Sequence, residues 1–282
     1  MNFSQLYEQF AALEDPGFWQ TAYMNFYRAW FEGNRWMQYF EGLGVTILVT
    51  IIALLIGVVL GVLVAVVRTG HDQQRKGHHN PILAVLNMVC KVYVTVIRGT
   101  PMMVQLLIMG FVIFASSRNK TLIGALSLGI NSGAYVAEII RGGLMSLDPG
   151  QSEAGRSLGL GYLDTMRFIV IPQAFKAILP ALGNEFITLL KDTSLISVVA
   201  GTEIVYFAQA IVARTYEPMW PYLITAVMYL ILVLIFSWLC SYFSRLLICS
   251  GDHAISSRLE TVCTALGSAN IGFRTLFFRL FS

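Results

Sequence analysis

The sequence predicts an all-α fold, a polytopic membrane bundle of about five transmembrane helices. Three observations predict it. Mean hydropathy is +0.66 and only 12% of the 282 residues are charged, which is too apolar for a soluble globule. Charge-free runs of bilayer-crossing length recur, the clearest being the 25 residues Leu43 to Val67 and the 23 residues Tyr222 to Ser244. Between them lies a polar, helix-capable insert, about 148–168, that reads as a knob outside the bilayer.

The chain divides into an aromatic N-terminal segment, 1–38, a membrane domain, 39–248, and a tail, 249–282. In the first segment Trp19, Tyr23, Phe26, Tyr27 and Trp30 fall on one helical face. That face either lies in the membrane interface, where Trp and Tyr are favoured, or packs on the rest of the chain. No basic start followed by an apolar core marks a cleavable leader.

The first span, Leu43 to Val67, carries Gly57 and Gly61 four residues apart, a spacing that lets another helix come close. Arg68 ends it, and the next loop holds Arg75, Lys76 and three histidines, His71, His78 and His79. The positive-inside rule puts that loop in the cytoplasm and the N-terminus outside. From Pro81 the pattern is amphipathic, interrupted by Lys91, until Arg98-Gly99-Thr100-Pro101. Pro101 lacks an amide donor and disfavours helix at Thr100, so a break is expected there, with the second span starting near Pro101 and ending by Ser117. Arg98 either snorkels to the surface or meets a substrate carboxylate at the mouth of a path. Arg118 and Lys120 follow in a short loop read as external, against the charge rule.

The third span, Leu122 to Ile140, ends with Glu138 and Arg141 at i, i+3, an ion pair or part of a path. The stretch between Lys176 and Lys191 is read as an apolar fourth span of about 21 Å, kinked at Pro180. It brings Lys191, Asp192, Thr193 and Ser194 deep into the bilayer, where charges must pair or face water. These residues read either as a broken helix lining a cavity or as a salt-bridged helix end. The segment Gly201 to Pro221, low in basic residues, fits the outside. Tyr222 to Ser244 closes the bundle and leaves the C-terminus inside, in keeping with Arg245, Arg258, Arg274 and Arg279.

The knob is the most ordered part of the pattern. Asp148 is placed to cap a helix with Pro149 at its first position and Gln151 at the capping-box position. Gly159 and Gly161 end that helix after about three turns, and a second starts at Asp164. The spacing Glu153-Ala154-Gly155, three residues, Gly159, nine residues, Ile169-x-Ile171-Pro172 resembles the EAA signature of ABC importer permeases. Gly155 departs from it, standing where a second alanine is usual, and is expected to loosen the helix. The strings IRGTP at Ile97, GAYVAEIIRGGL at Gly133 and KDTSL at Lys191 resemble the polar amino acid branch of that family.

That resemblance covers roughly Leu43 to Arg245 and implies a permease that couples to an ATPase through Glu153, Ala154, Gly155, Gly159, Ile169 and Pro172. It implies two ATP-binding subunits inside, a periplasmic or lipid-anchored substrate-binding protein outside, and a second permease subunit in a bacterial inner membrane. Substrate would pass Arg98, Gly99, Thr100, Glu138, Lys191, Asp192, Thr193 and Ser194. No P-loop, HExxH or GxSxG string is present, so no catalytic residue is assigned and ATP and magnesium are expected only on the partner. Cys90, Cys240, Cys249 and Cys263, with His253, show no metal or disulfide spacing, and nothing points to nucleic acid. A proton- or sodium-coupled secondary transporter using Glu138 and Asp192 is the alternative, and a non-transporting membrane scaffold a third class.

Overall fold

The computed structural model describes residues 3–13, 15–72 and 80–249, the last five by backbone alone. The described residues contain eleven α-helices joined by short 3-10 and π turns, and no strand. They divide into two compact units, of which the second begins at Ser241 and contributes only the helical residues 241–249 here. The expectations placed on Arg75, Lys76, His78, His79, His253, Cys263 and the tail lie outside the described residues.

Helices α1 (Phe3–Ala11) and α2 (Phe18–Trp30) form an aromatic layer. Tyr7 stacks on Tyr27 at 4.7 Å, Phe10 meets Tyr23 edge-on, Phe26 meets Trp220, and Trp30 stacks on the buried Tyr39. The predicted aromatic face is thus a packing face, as edge and stacked ring pairs favour, and of its residues Trp19 is left exposed. Gly33 and Asn34, both at positive φ, turn the chain into α3 (Arg35–Asp72).

At 38 residues α3 extends the predicted span at both ends. It packs along α6 (Lys120–Met145), the most deeply buried of the long helices. Gly57 and Gly61 make that contact possible: a Cβ on Gly57 would sit 2.8 Å from Ser132 Oγ, and one on Gly61 2.6 Å from Val136 Cγ1. The backbones approach because neither carries a side chain.

The second span differs from the expectation. The break at Thr100 is present, with extended backbone there and Pro101 starting a new helix. The long helix precedes the break, however: α4 (Pro81–Gly99) has 19 residues, whereas α5 (Met102–Leu107) with the π turn Ile108–Ile113 is too short to cross alone. The helix after Pro101 stops at Ile113, and the Lys120 ammonium reaches back to cap the carbonyls of Gly110, Phe114 and Ala115. This also accounts for a lysine in a loop read as external. Among the described residues, five helices are long and apolar enough to cross a membrane: 32–72, 81–99, 120–145, 162–199 and 219–244. The last belongs to α11 (Met219–Cys249).

Candidate functional site

The knob is built by local rules. Asp148 Oδ1 accepts from the Gly150 amide at 2.9 Å, and Pro149 opens α7 (Pro149–Ser157). The Gln151 side chain turns to Gln173 instead of closing the expected capping box. At the other end the Gly159 amide donates to Arg156 O and the Leu160 amide to Gly155 O, the paired closure of a Schellman turn. Gly159 holds φ +82, which only glycine adopts freely. The next helix, α8 (Tyr162–Thr165), starts two residues before the expected Asp164 because Gly161 serves as its extended cap.

A π turn, Met166–Val170, then leads without interruption into α9 (Ile171–Asp192). Pro172 has no amide proton and its ring crowds the preceding turn, and the wider π turn accommodates it. Gly155 is buried, and a Cβ there would lie 3.0 Å from both Ile169 Cδ1 and Thr165 Cγ2. The glycine therefore seats α7 against α8 and the π turn, a gain that offsets its poor helix propensity. Glu153 and Ala154 face outward, next to Leu158 and Leu163, which are 81% and 78% exposed. Tyr162 and Phe168 add to this apolar outer surface.

At its other end α9 turns at Thr193 into a 3-10 helix, Thr193–Val199, and Ala200 adopts a left-handed conformation. The helix narrows at Thr193 without a break and ends at Ala200. Thr193 is fully buried and donates to Leu190 O at 2.7 Å, and Ser197 donates to Ser194 O. Asp192 is half-buried and Lys191 exposed, and neither forms an ion pair among the described residues. The helical run is therefore continuous to Val199, tightening from α to 3-10 at Thr193, and the salt bridge expected of a polar helix end is not formed.

Reading 176–191 as apolar throughout overlooks Glu185, a carboxylate in mid-helix. Its Oε1 accepts from Ser132 Oγ at 2.8 Å. It lies seven residues before Asp192, two turns along the same face. An acid within an apolar run was the available signal. The neighbours of Ser132 are engaged as well: Asn131 donates to Met102 Sδ, and the Tyr135 ring lies under the Arg98 guanidinium at 5.2 Å.

The remaining predicted residues form a separate group. Glu138 is held by Arg141 at 3.1 Å and by Arg68 of α3, so both of its oxygens are engaged and the pair ties two helices. Arg98 and Glu138 line one cavity of about 250 Å³ with Arg68, Lys91 and Arg141. Gly99 ends α4, and Thr100 Oγ1 donates to Val96 O and accepts from Gln105.

One buried acid carried no sequence signal. Glu203 is 0% exposed; it caps α10 (Ile204–Thr215) by accepting from the Tyr206 amide at 2.8 Å and from Tyr229 OH at 3.0 Å. Burial pushes its carboxyl up to about 7, against the opposing pull of the Val205 and Tyr206 amides and Tyr229.

With knob, 3-10 turn and long spans in place, residues 82–248 match the model of the binding-protein-dependent transport system inner membrane component. This chain belongs to that family. Members similar to it include the glutamine transport system permease protein GlnP of Escherichia coli K12, 38% identical over 165 residues, covering 57% of this chain and 75% of that protein. The putative GlnP of Rickettsia typhi is 36% identical over 167 residues, covering 58% and 77%. Among solved structures, an amino acid ABC transporter crystallised with histidines aligns at TM-score 0.66 and 41% identity over 74% of this chain and 93% of that one. The inward-facing MetNI methionine ABC transporter aligns at 0.63 with 17% identity, covering 75% and 96%, and shares the fold.

Proposed function

We infer that this chain is the multi-pass inner-membrane permease subunit of an ABC importer for amino acids, driven by a partner ATP-binding subunit and supplied by a binding protein. The observation that carries this reading is the knob within the family-matched region: a capped helix, a glycine-closed turn and an exposed Leu158 standing between two spans. Bare spans have no energy source and would only equilibrate substrate; a docking lever supplies the missing bias. Glu153, Ala154, Gly155, Gly159, Ile169 and Pro172 build that lever. ATP and magnesium bind the partner, and closure of two ATPases moves two levers, one on each permease of a homo- or heterodimer.

Substrate passes the end of α9, where it tightens into the 3-10 helix. Asp192, supported by Glu185 on the same face, meets the cationic group of an amino acid, Ser194 offers a polar group beside it, and the buried Thr193 fixes the turn through Leu190 O. The N-terminus lies outside and the knob inside. Similarity to glutamine permeases and to the amino acid transporter crystallised with histidines supports polar amino acids as the cargo. The secondary-transport alternative loses one of its two titrating groups, because Glu138 is tied to Arg68 and Arg141.

Reconstituted vesicles test the proposal. With the partner ATPase inside and the binding protein outside, amino acid uptake should stop without ATP and survive an uncoupler. Uptake that follows an imposed proton or sodium gradient without ATP would overturn it.

A further inference from the structure

We propose that the cavity among α3, α4 and α6 holds the phosphate of an anionic phospholipid. Its walls carry four cations, Arg68, Lys91, Arg98 and Arg141, against one carboxylate, Glu138, with Val94 and Thr95 completing them. Glu138 is already engaged by Arg68 and Arg141, while Lys91 and Arg98 have no carboxylate partner among the described residues. The cavity therefore carries surplus positive charge, and the Nε of Arg68 beside it is buried without a hydrogen-bond acceptor. A group with several anionic acceptor oxygens meets that charge.

Depth and surroundings select a lipid as its source. Arg68 and Arg141 close the apolar runs of α3 and α6, so the inner edge of the cavity lies where the hydrocarbon core gives way to headgroups, and Lys91 and Arg98 extend it along α4. Lys91, Thr95 and Arg98 are exposed along one side of α4 and lead into it. On the same helix Val85, Val89, Val92 and Val96 form an exposed apolar stripe along which acyl chains can lie. Basic pockets between spans near the inner face suit acidic headgroups.

The test uses the full chain in neutral detergent, titrated with phosphatidylglycerol, phosphatidylcholine and inorganic phosphate, read by native mass spectrometry and thermal midpoint. Phosphatidylglycerol should be retained in preference to phosphatidylcholine and raise the midpoint saturably. Lys91→Gln should weaken that response about tenfold, and Lys91→Arg should restore it. Should Lys91→Gln not fold, Arg98→Gln and the lipid comparison on the unaltered chain carry the test. Equal retention of the two lipids, or an unchanged response in the Gln variants, overturns the site. Inorganic phosphate reproducing the full shift overturns the lipid source, and displacement of phosphatidylglycerol by a free amino acid reassigns the cavity to the substrate path.

Discussion

Substitution at Gly159 separates the lever from the rest of the molecule. The residue sits at φ +82 with nothing within 4 Å of a Cβ, so a side chain there meets no neighbour and the penalty is confined to the backbone. A left-handed non-glycine residue costs roughly 1–2 kcal/mol. The turn it closes holds two hydrogen bonds, Gly159 N to Arg156 O and Leu160 N to Gly155 O, each contributing about 1 kcal/mol. Gly159→Ala should therefore lower the population of the formed turn by about 5- to 30-fold, and Gly159→Asn by less, since Asn tolerates this conformation. Gly159→Val should be worst, because β-branching adds to the strain. The assay is ATP-driven uptake together with pull-down of the ATPase subunit, with expression and binding-protein capture as controls. Uptake and pull-down should fall in the order Gly, Asn, Ala, Val while the controls hold. Equal uptake by all four would refute the reasoning, as would a ranking by side-chain volume alone.

Gly61→Ala puts a Cβ 2.6 Å from Val136 Cγ1, so the α3–α6 contact must open; a loss of about 1–3 kcal/mol should lower the detergent melting temperature, whereas Gly44→Ala, with open space around it, should not. Glu203 titrates near 7 in the fold and near 4.5 when unfolded, so the folded state binds the extra proton between those values. Stability should fall as pH rises from 4.5 to 7, by up to about 3 kcal/mol, and level off above. Glu203→Gln should remove that slope in a thermal-shift series; an unchanged slope would assign it elsewhere. Asp192→Asn should depress uptake of basic amino acids more than of neutral ones, and Glu185→Gln should do so less strongly, because Glu185 already has Ser132 as a partner. A uniform loss across substrates counts against a role in recognition.

What could be read in the sequence was local. Asp148, Pro149, Gly159 and Pro101 act within a turn of themselves, and each did what its chemistry requires. Gly57 and Gly61 announced a close helix contact but not its partner, which lies some 75 residues on. Pairs that cross the fold had no such signature. Arg68 reaches Glu138, Ser132 reaches Glu185, and Tyr229 reaches Glu203, over separations of 70, 53 and 26 residues. The second span was misjudged because hydropathy sees the apolar run after Pro101 and not that its helix stops at Ile113, with Lys120 capping the freed carbonyls. Gly155 reads as a helix weakness in sequence and as a packing requirement once Thr165 and Ile169 are beside it.

Site-directed cross-linking tests the lever most directly. In a chain freed of its four native cysteines, Ala154→Cys or Leu158→Cys should join covalently to a cysteine in the ATPase subunit, with a yield that changes when nucleotide is added. Both side chains are exposed on the knob, so access does not limit the reaction. No adduct at either position, alongside full ATP-driven uptake by the same variants, would contradict the account.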